Sequence, residues 1–502
     1  MIKKFSVVAL AGLFALPSFA AASGGPNVQD LERKIEELSR QLDDLKAAMA
    51  EQGEMNEAQS DLLDDLDERS DEWDLAARIK FYGDFRSRLD YYNADTVFGR
   101  DLENDYLWTN RFRLNMRVKA TENVEFKGRF AMYKTWGNQS GFNDDSGAMW
   151  PVFDGNVSRT PAGSSALYVD RAFVNWNNIA GLPMWFSIGR RPTTDGSPSE
   201  LRLGEDNRLA TPMAFMNWPF DGLTLGYGWN WGPEVMGTSK LRFCYGRGFE
   251  AGLQEEEMGS IDDMDFAGFS WDIMKKDDRF LYAQSFMAFN VINYPNFQDP
   301  IIDQGFGEMS GMGERKNLGN IWHNSVVYQS KVAGLNYFLS AGHSQTQPDA
   351  DGMFNNFAAM GAGLEGPNTD DENGYSFYAG VRYDLDDAGM KFGAEFNYGS
   401  QYWVAMSPGH DEIYQAKLGT RGQVYEIYMI YDLPTGEAIS KYAKTFVRLG
   451  YQHYEYDYAG SNDWNMYPYD LGDQTDLMYL QAMGADSVES ADQVYLTFEA
   501  YF

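Results

Sequence analysis

Basic side chains recur at every second position early in the chain. Arg111, Arg113, Arg117 and Lys119 alternate with Phe112, Leu114, Met116 and Val118. Lys80, Arg86 and Arg88 lie opposite Ile79, Phe81, Phe85 and Leu89, and Lys127 and Arg129 lie opposite Phe126, Phe130 and Met132. Lys240 and Arg242 fall in the same pattern. Rows of guanidinium and ammonium groups supply neither a nucleophile nor a proton acceptor. They supply a field, reaching roughly a Debye length, about 8 Å at physiological salt. Later in the chain Asp384, Glu395, Glu426 and Glu499 occupy the equivalent face. A basic wall facing acidic groups would set a transverse field across any space between them.

Covalent and metal chemistry leave no trace. There is no C-x-x-C-H, no H-E-x-x-H, no P-loop and no G-x-S-x-G. The single cysteine, Cys244, excludes an intrachain disulfide. His323, His343, His410 and His453 are scattered and read as girdle or loop residues. Asp349, Asp351 and Gly352 resemble part of a calcium loop, but the third acid and the distant glutamate are missing. The expectation is a protein that is not an enzyme, without cofactor or resident metal. A formal charge of −33 repels nucleic acid.

The elements that must carry the charged rows are strands, because only period two puts alternate residues on opposite faces. Alternation runs from Ala77 almost to the end. By itself it fits a soluble sandwich as well as a barrel, and the chain ends discriminate. Met1 to Lys4 is a basic n-region and Phe5 to Leu16 an apolar h-region too short to span a bilayer. Small residues around Ala20 to Ala22 fit a cleavage site, which makes residues 1–22 a signal peptide. At the other end Val494, Leu496, Phe498, Ala500 and Phe502 share one face, and Tyr495, Thr497, Glu499 and Tyr501 the other. No later apolar run reaches the roughly 18 residues of a membrane helix. The expected fold is all-β: a transmembrane antiparallel β-barrel of about sixteen strands over residues 77–502, with short turns on one side and long loops on the other. Expected strand pairs are 78–92 with 106–120, 123–136 with 166–178, 184–191 with 220–230 and 238–247 with 262–275. They continue as 279–294 with 320–332, 334–346 with 373–385, 389–403 with 420–433, and 441–458 with 491–502.

Residues 23–76 read differently. Val28, Leu31, Ile35, Leu38, Leu42, Leu45 and Met49 alternate steps of three and four, an a/d seam with charged residues between. The spacing predicts an α-helical coiled coil that loosens near Gly53, on the side where the first strand begins.

Two segments carry a family resemblance. Arg171 to Trp176 (RAFVNW) and Trp185 to Pro192 (WFSIGRRP) resemble a strand pair of porins, and Ile188 to Gly196 is similar to a family of Gram-negative outer-membrane porins of unestablished function. The last strand resembles the closing strand of outer-membrane barrels, where a terminal aromatic is the assembly signal; here that is Phe502. The resemblance implies an outer-membrane barrel with its coiled coil in the periplasm. It also implies a homotrimer, contact with lipid and lipopolysaccharide, and insertion by the barrel-assembly machinery. In the best-known sixteen-stranded porins the third long loop folds inward. Here that loop spans 192–219 and carries Asp195, Glu200, Arg202, Glu205, Asp206 and Arg208. Two functional readings follow: a passive diffusion channel for small hydrophilic solutes or ions, or a structural barrel tethering or sheathing a periplasmic partner.

Overall fold

The computed structural model describes residues 32–44, 46, 78–136, 167–191, 196–204, 215–216, 221–232, 234–253, 261–293, 316–407, 416–440 and 442–502. The chain divides into two units at Ala76 and Ala77. In the first, residues 32–44 are helical, and Ile35, Leu38 and Leu42 are exposed on that helix. Val28, Leu31, Leu45 and Met49 of the expected seam lie outside the described residues.

The second unit is a closed barrel of sixteen antiparallel strands. Its first half comprises β1 (Ile79–Thr96), β2 (Asp101–Lys119), β3 (Val124–Thr135), β4 (Tyr168–Asn177), β5 (Met184–Arg190), β6 (Asp221–Gly232), β7 (Gly237–Phe249) and β8 (Met264–Lys276). The second half comprises β9 (Arg279–Ile292), β10 (Asn317–Val332), β11 (Leu335–Pro348), β12 (Asn373–Leu385), β13 (Met390–Gly399), β14 (Gly422–Asp432), β15 (Lys444–Tyr456) and β16 (Val488–Tyr501). Each strand pairs with its neighbours in sequence, and β16 closes on β1. Closure leaves no strand edge unpaired. It is tied at the chain end, where Phe502 and Gly83 exchange two backbone hydrogen bonds of 3.0 Å.

Turns on one side are tight. Ala333 and Gly334 both adopt positive φ, 48° and 83°, the two-residue geometry that matches the twist of the flanking strands β10 and β11. On the opposite side most connections are long.

Side chains alternate as the pleat requires. Leu89, Trp108, Ile188, Phe243, Phe269, Val381, Ile427, Leu449 and Leu496 are exposed on the outside. Asp84, Arg86, Arg88, Arg111, Arg113 and Arg129 are buried on the inside. No helix among the described residues is long and apolar enough to cross a membrane; an apolar outer face on a barrel is the other way to meet hydrocarbon.

Strand ends differ from the sequence expectation by a few residues, most at the end of β1, the start of β2 and the end of β13. β1 and β2 extend to Thr96 and from Asp101, well beyond 92 and 106. This end of the hairpin is rich in polar residues, so alternation marks it poorly. Ala94, with Val97 and Leu102, packs into an apolar cluster with Tyr454 and Leu480, and side-chain bonds add to this, such as Asn93 Nδ2 to Asp101 at 2.8 Å and Arg100 Nε to Asp486 at 2.7 Å. In contrast, β13 stops at Gly399 rather than 403, because the chain leaves the sheet and turns into the barrel.

Candidate functional site

The long connections do not simply solvate a wide lumen; described parts of four of them pack inside the barrel. Leu201 and Phe215 from the β5–β6 connection, with Trp403 and Leu418 from the β13–β14 connection, form a core with Phe280, Tyr282, Val327, Phe338 and Tyr378 of the wall. A second core joins Met216, Met353, Phe354, Val404, Met406 and Trp464 to Met264, Phe266, Phe286, Ile321 and other wall residues. Gly342 shows why the wall can accept them. A Cβ there would lie 2.5 Å from the Trp403 ring and 2.9 Å from Phe215. His323 belongs to this interior rather than to a girdle or loop: it is buried, 5.5 Å from Trp403, because its place in β10 puts it on the inward face. His343 and His453 lie on strands β11 and β15, and His410 lies outside the described residues.

Arg421 ties these connections together. Its guanidinium donates to the carbonyls of Trp403 (3.1 Å), Ala459 (3.3 Å), Gly460 (2.7 Å) and Asp463, and stands 5.2 Å from the Phe354 ring. Segments after β11, β13 and β15 thus meet on one side chain.

The charged wall is largely neutralised within itself. Asp84 accepts from Arg113 at 2.7 Å and from Arg111 at 3.1 Å. Arg88 pairs with Asp90 at 2.7 Å and Arg129 with Asp170. Arg86 donates to the Tyr133 hydroxyl at 3.0 Å. Lower on the wall, Arg117 and Lys127 share Glu125 at 2.6 and 2.7 Å and remain partly exposed. Lys80 and Lys119 are exposed at the strand ends.

The acidic residues of the later strands are met by groups the alternation does not mark. Glu395 and Glu426 share the Lys417 ammonium at 2.5 and 2.6 Å, with all three side chains at most 1% exposed. Tyr378 donates to Glu395 at 2.7 Å and Tyr495 to Glu426 at 2.6 Å. Glu499 receives Arg448 at 3.2 Å, with Arg111 at 4.0 Å across the barrel closure. Arg448 also donates to the carbonyl of Arg202 at 2.9 Å, and Arg202 stands 3.6 Å from Glu426. A continuous relay of charges therefore runs from β2 through β16, β15 and the third long connection to β14 and β13. Asp384 is held by Arg382 (2.7 Å), Lys331 (3.0 Å) and Asn336 (2.9 Å).

Within the third long connection, residues 196–204 lie deep against the far wall. Glu200 accepts from Gln329 at 2.9 Å, Leu201 O from Arg382 at 2.8 Å, and Gly204 O from Lys444 at 2.6 Å. Glu200 and Arg202 are 3% and 1% exposed. Asp195, Glu205, Asp206 and Arg208 lie outside the described residues. Beneath this segment, toward the tight turns, opens a polar cavity of about 590 Å3 lined by Glu200, Lys331, Arg382, Asp384 and Asp432 among others. Among the described residues no group of His, Cys, Asp and Glu is placed to hold a metal ion.

Lys417, Arg421, Arg448 and Arg382 were not singled out by the sequence. Arg448 and Arg382 sit on inward strand positions and were legible in principle. Lys417 and Arg421 precede β14 in an irregular stretch, where no periodicity speaks for them.

The strand pairing defines a closed sixteen-stranded antiparallel β-barrel with a charged interior. Residues 101–502 match the family described as "Protein of unknown function (DUF3373)", and the chain belongs to that family. No curated protein matches the chain. Among solved structures it is similar to an anion-selective porin from Comamonas acidovorans, with 11% identity, a TM-score of 0.44, and coverage of 84% of this chain and 99% of that one. It is similar to OprB of Pseudomonas putida at 12% identity and a TM-score of 0.44, covering 85% and 95%. It is also similar to Salmonella typhi OmpF at 10% identity and a TM-score of 0.41, covering 84% and 97%. At such values the likenesses carry no argument of their own, and the barrel rests on the strand pairing of this chain.

Proposed function

We propose that the protein is an outer-membrane diffusion channel for small hydrophilic solutes or ions, and not an enzyme. The observation that carries this is the closed barrel with an apolar outside and an ionised, hydrogen-bonded inside. Lipid-facing Arg or Lys at mid-depth costs about 2–4 kcal/mol each, and the buried arginines of β1–β3 avoid that cost by facing inward. The short h-region at the N-terminus and the terminal Phe502 support export and insertion by the barrel-assembly machinery, into a bilayer of lipid and lipopolysaccharide. The exposed Ile35, Leu38 and Leu42 on the helix over 32–44 support a coiled coil with other copies, which we take to be a periplasmic homotrimer stalk.

The second reading, a structural barrel that tethers or sheathes a periplasmic partner, is favoured by one observation: connections packed into the barrel occupy much of its β9–β16 side. Planar-bilayer recording of the full-length protein separates the two. Discrete conductance steps are expected. Their absence from assembled protein would replace the channel by the structural barrel.

A further inference from the structure

Resting on the channel reading, we infer that Arg421 is a positioning residue. Its side chain holds the connections after β11, β13 and β15 as one strap across the mouth on the side of the long connections, and this strap sets the largest solute the channel admits. The strap leaves the wall at the end of β15 and is anchored far round it. Trp464 is fully buried and donates its indole N–H to the carbonyl of Ile292, the last residue of β9, at 2.8 Å. Those two strands stand six apart in the closed order of sixteen, so the chain between Tyr456 and Trp464 crosses the mouth rather than following the rim. Hydrogen bonds make the connections one body. The Phe354 N–H donates to the carbonyl of Trp464 at 2.9 Å and the Tyr467 N–H to that of Asn355 at 2.9 Å. The Asn462 amide donates to the carbonyl of Ser407 at 3.3 Å.

Arg421 is where this body meets the wall. It directly precedes β14, its carbonyl accepts from the Asp457 N–H at 3.0 Å, and its side chain is buried. A guanidinium presents its donors in a fixed planar fork. Here Nε serves Trp403 of the connection after β13, while Nη1 serves Ala459 and Gly460, and Nη2 serves Asp463, of the connection after β15. The Phe354 ring, from the connection after β11, faces the same group at 5.2 Å. A single ammonium cannot serve these spread carbonyls, and glutamine lacks both the charge and the span. Without the fork the buried carbonyls must be hydrated, and water admitted among them loosens the strap. The barrel itself does not depend on the strap, because every strand from β9 to β16 is hydrogen-bonded to a neighbour on each side.

The test is polymer exclusion: single-channel conductance of the full-length protein in planar bilayers, recorded with polyethylene glycols of increasing mass. In Arg421→Gln the conductance should rise about twofold, because the sector of the mouth between β9 and β15 is uncovered and conductance follows the open cross-section. Larger polymers should then enter. Arg421→Lys should widen the channel as well, which a role of charge alone would not produce. Arg40→Gln, in the exposed helix, should leave conductance and size cut-off unchanged. Trp464→Ala, which frees the far end of the strap, should also widen the channel, and it carries the test if Arg421→Gln does not assemble. Conducting variants with the wild-type cut-off overturn the inference and leave the channel reading standing. Failure of both variants to assemble overturns the inference, since the strap is then needed for folding. Assembled wild-type protein without conductance overturns the channel reading and the inference with it.

Discussion

Replacing Lys417 by methionine removes the one ammonium that Glu395 and Glu426 share. Both carboxylates are at most 1% exposed, so neither gains compensating water. Breaking a buried pair by removing one partner costs about 3–5 kcal/mol, because a desolvated charge is left behind. Tyr378 and Tyr495 still donate to the two carboxylates, and Arg202 still stands 3.6 Å from Glu426, which places the cost toward the lower end. Where the cost is felt follows from chain position. Lys417 belongs to the connection before β14, whereas both glutamates are on strands held by complete backbone ladders. The connection should yield, and the barrel should stay closed. Lys417→Met is therefore expected to lower the thermal midpoint in detergent, to raise hydrogen exchange in residues 416–421, and to preserve the β-sheet signal. Adding Glu395→Gln and Glu426→Gln removes the stranded charges and should recover most of the loss. If Lys417→Met unfolds at the wild-type temperature, or if the triple variant is no better than the single one, the buried relay is not a source of stability.

Burial pushes the Asp463 carboxyl up to about 6, against the opposing pull of backbone amides of Asn465 and Met466 and of Arg421. A carboxyl that binds its proton more tightly when folded stabilises fully below its unfolded value, near 3.8, and loses that contribution as pH rises through about 6. Hydrogen exchange of residues 459–466 should thus be slower at pH 4 than at pH 7, after correction for intrinsic rates, and Asp463→Asn should flatten the difference; equal protection in wild type at both values would contradict the assignment. Deleting Phe502 removes two backbone bonds to Gly83 and a ring contact with Phe112 at 6.4 Å. Outer-membrane abundance should fall while the conductance of surviving channels persists, and normal abundance by immunoblot would deny the residue its role in assembly. Native mass spectrometry in mild detergent should give a trimer that becomes monomer when residues 23–76 are deleted. Monomer from the intact chain would refute the stalk, and a trimer after deletion would move the contact to the barrel.

Most of the barrel was legible without coordinates, because inside and outside are a local property of the pleat. Whether Arg88 or Leu89 faces lipid depends only on parity, and the apolar partner face says which side is which. Strand count followed from the same signal, and strand ends slipped where the pattern is broken by polar residues, as between Asn93 and Asn104, or where the chain turns inward, as after Gly399. Pairing within one hairpin, such as Arg113 with Asp84, was within reach once the turn was placed. What lay beyond reach depended on closure and on irregular backbone. Glu499 meets Arg111 only because the last strand returns to the first. Trp403 reads as the continuation of a strand, yet it turns inward because Gly342, Gly374 and Gly399 leave it space. Lys417 and Arg202 find Glu426 from connections that follow no period, so their partners are set by where those connections come to rest. Arg448 shows the same division: its inward place on β15 follows from parity, but its contacts with Glu499 and the Arg202 carbonyl exist only in the closed fold, since charge balance in a barrel is a sum over strands distant in sequence and adjacent in space.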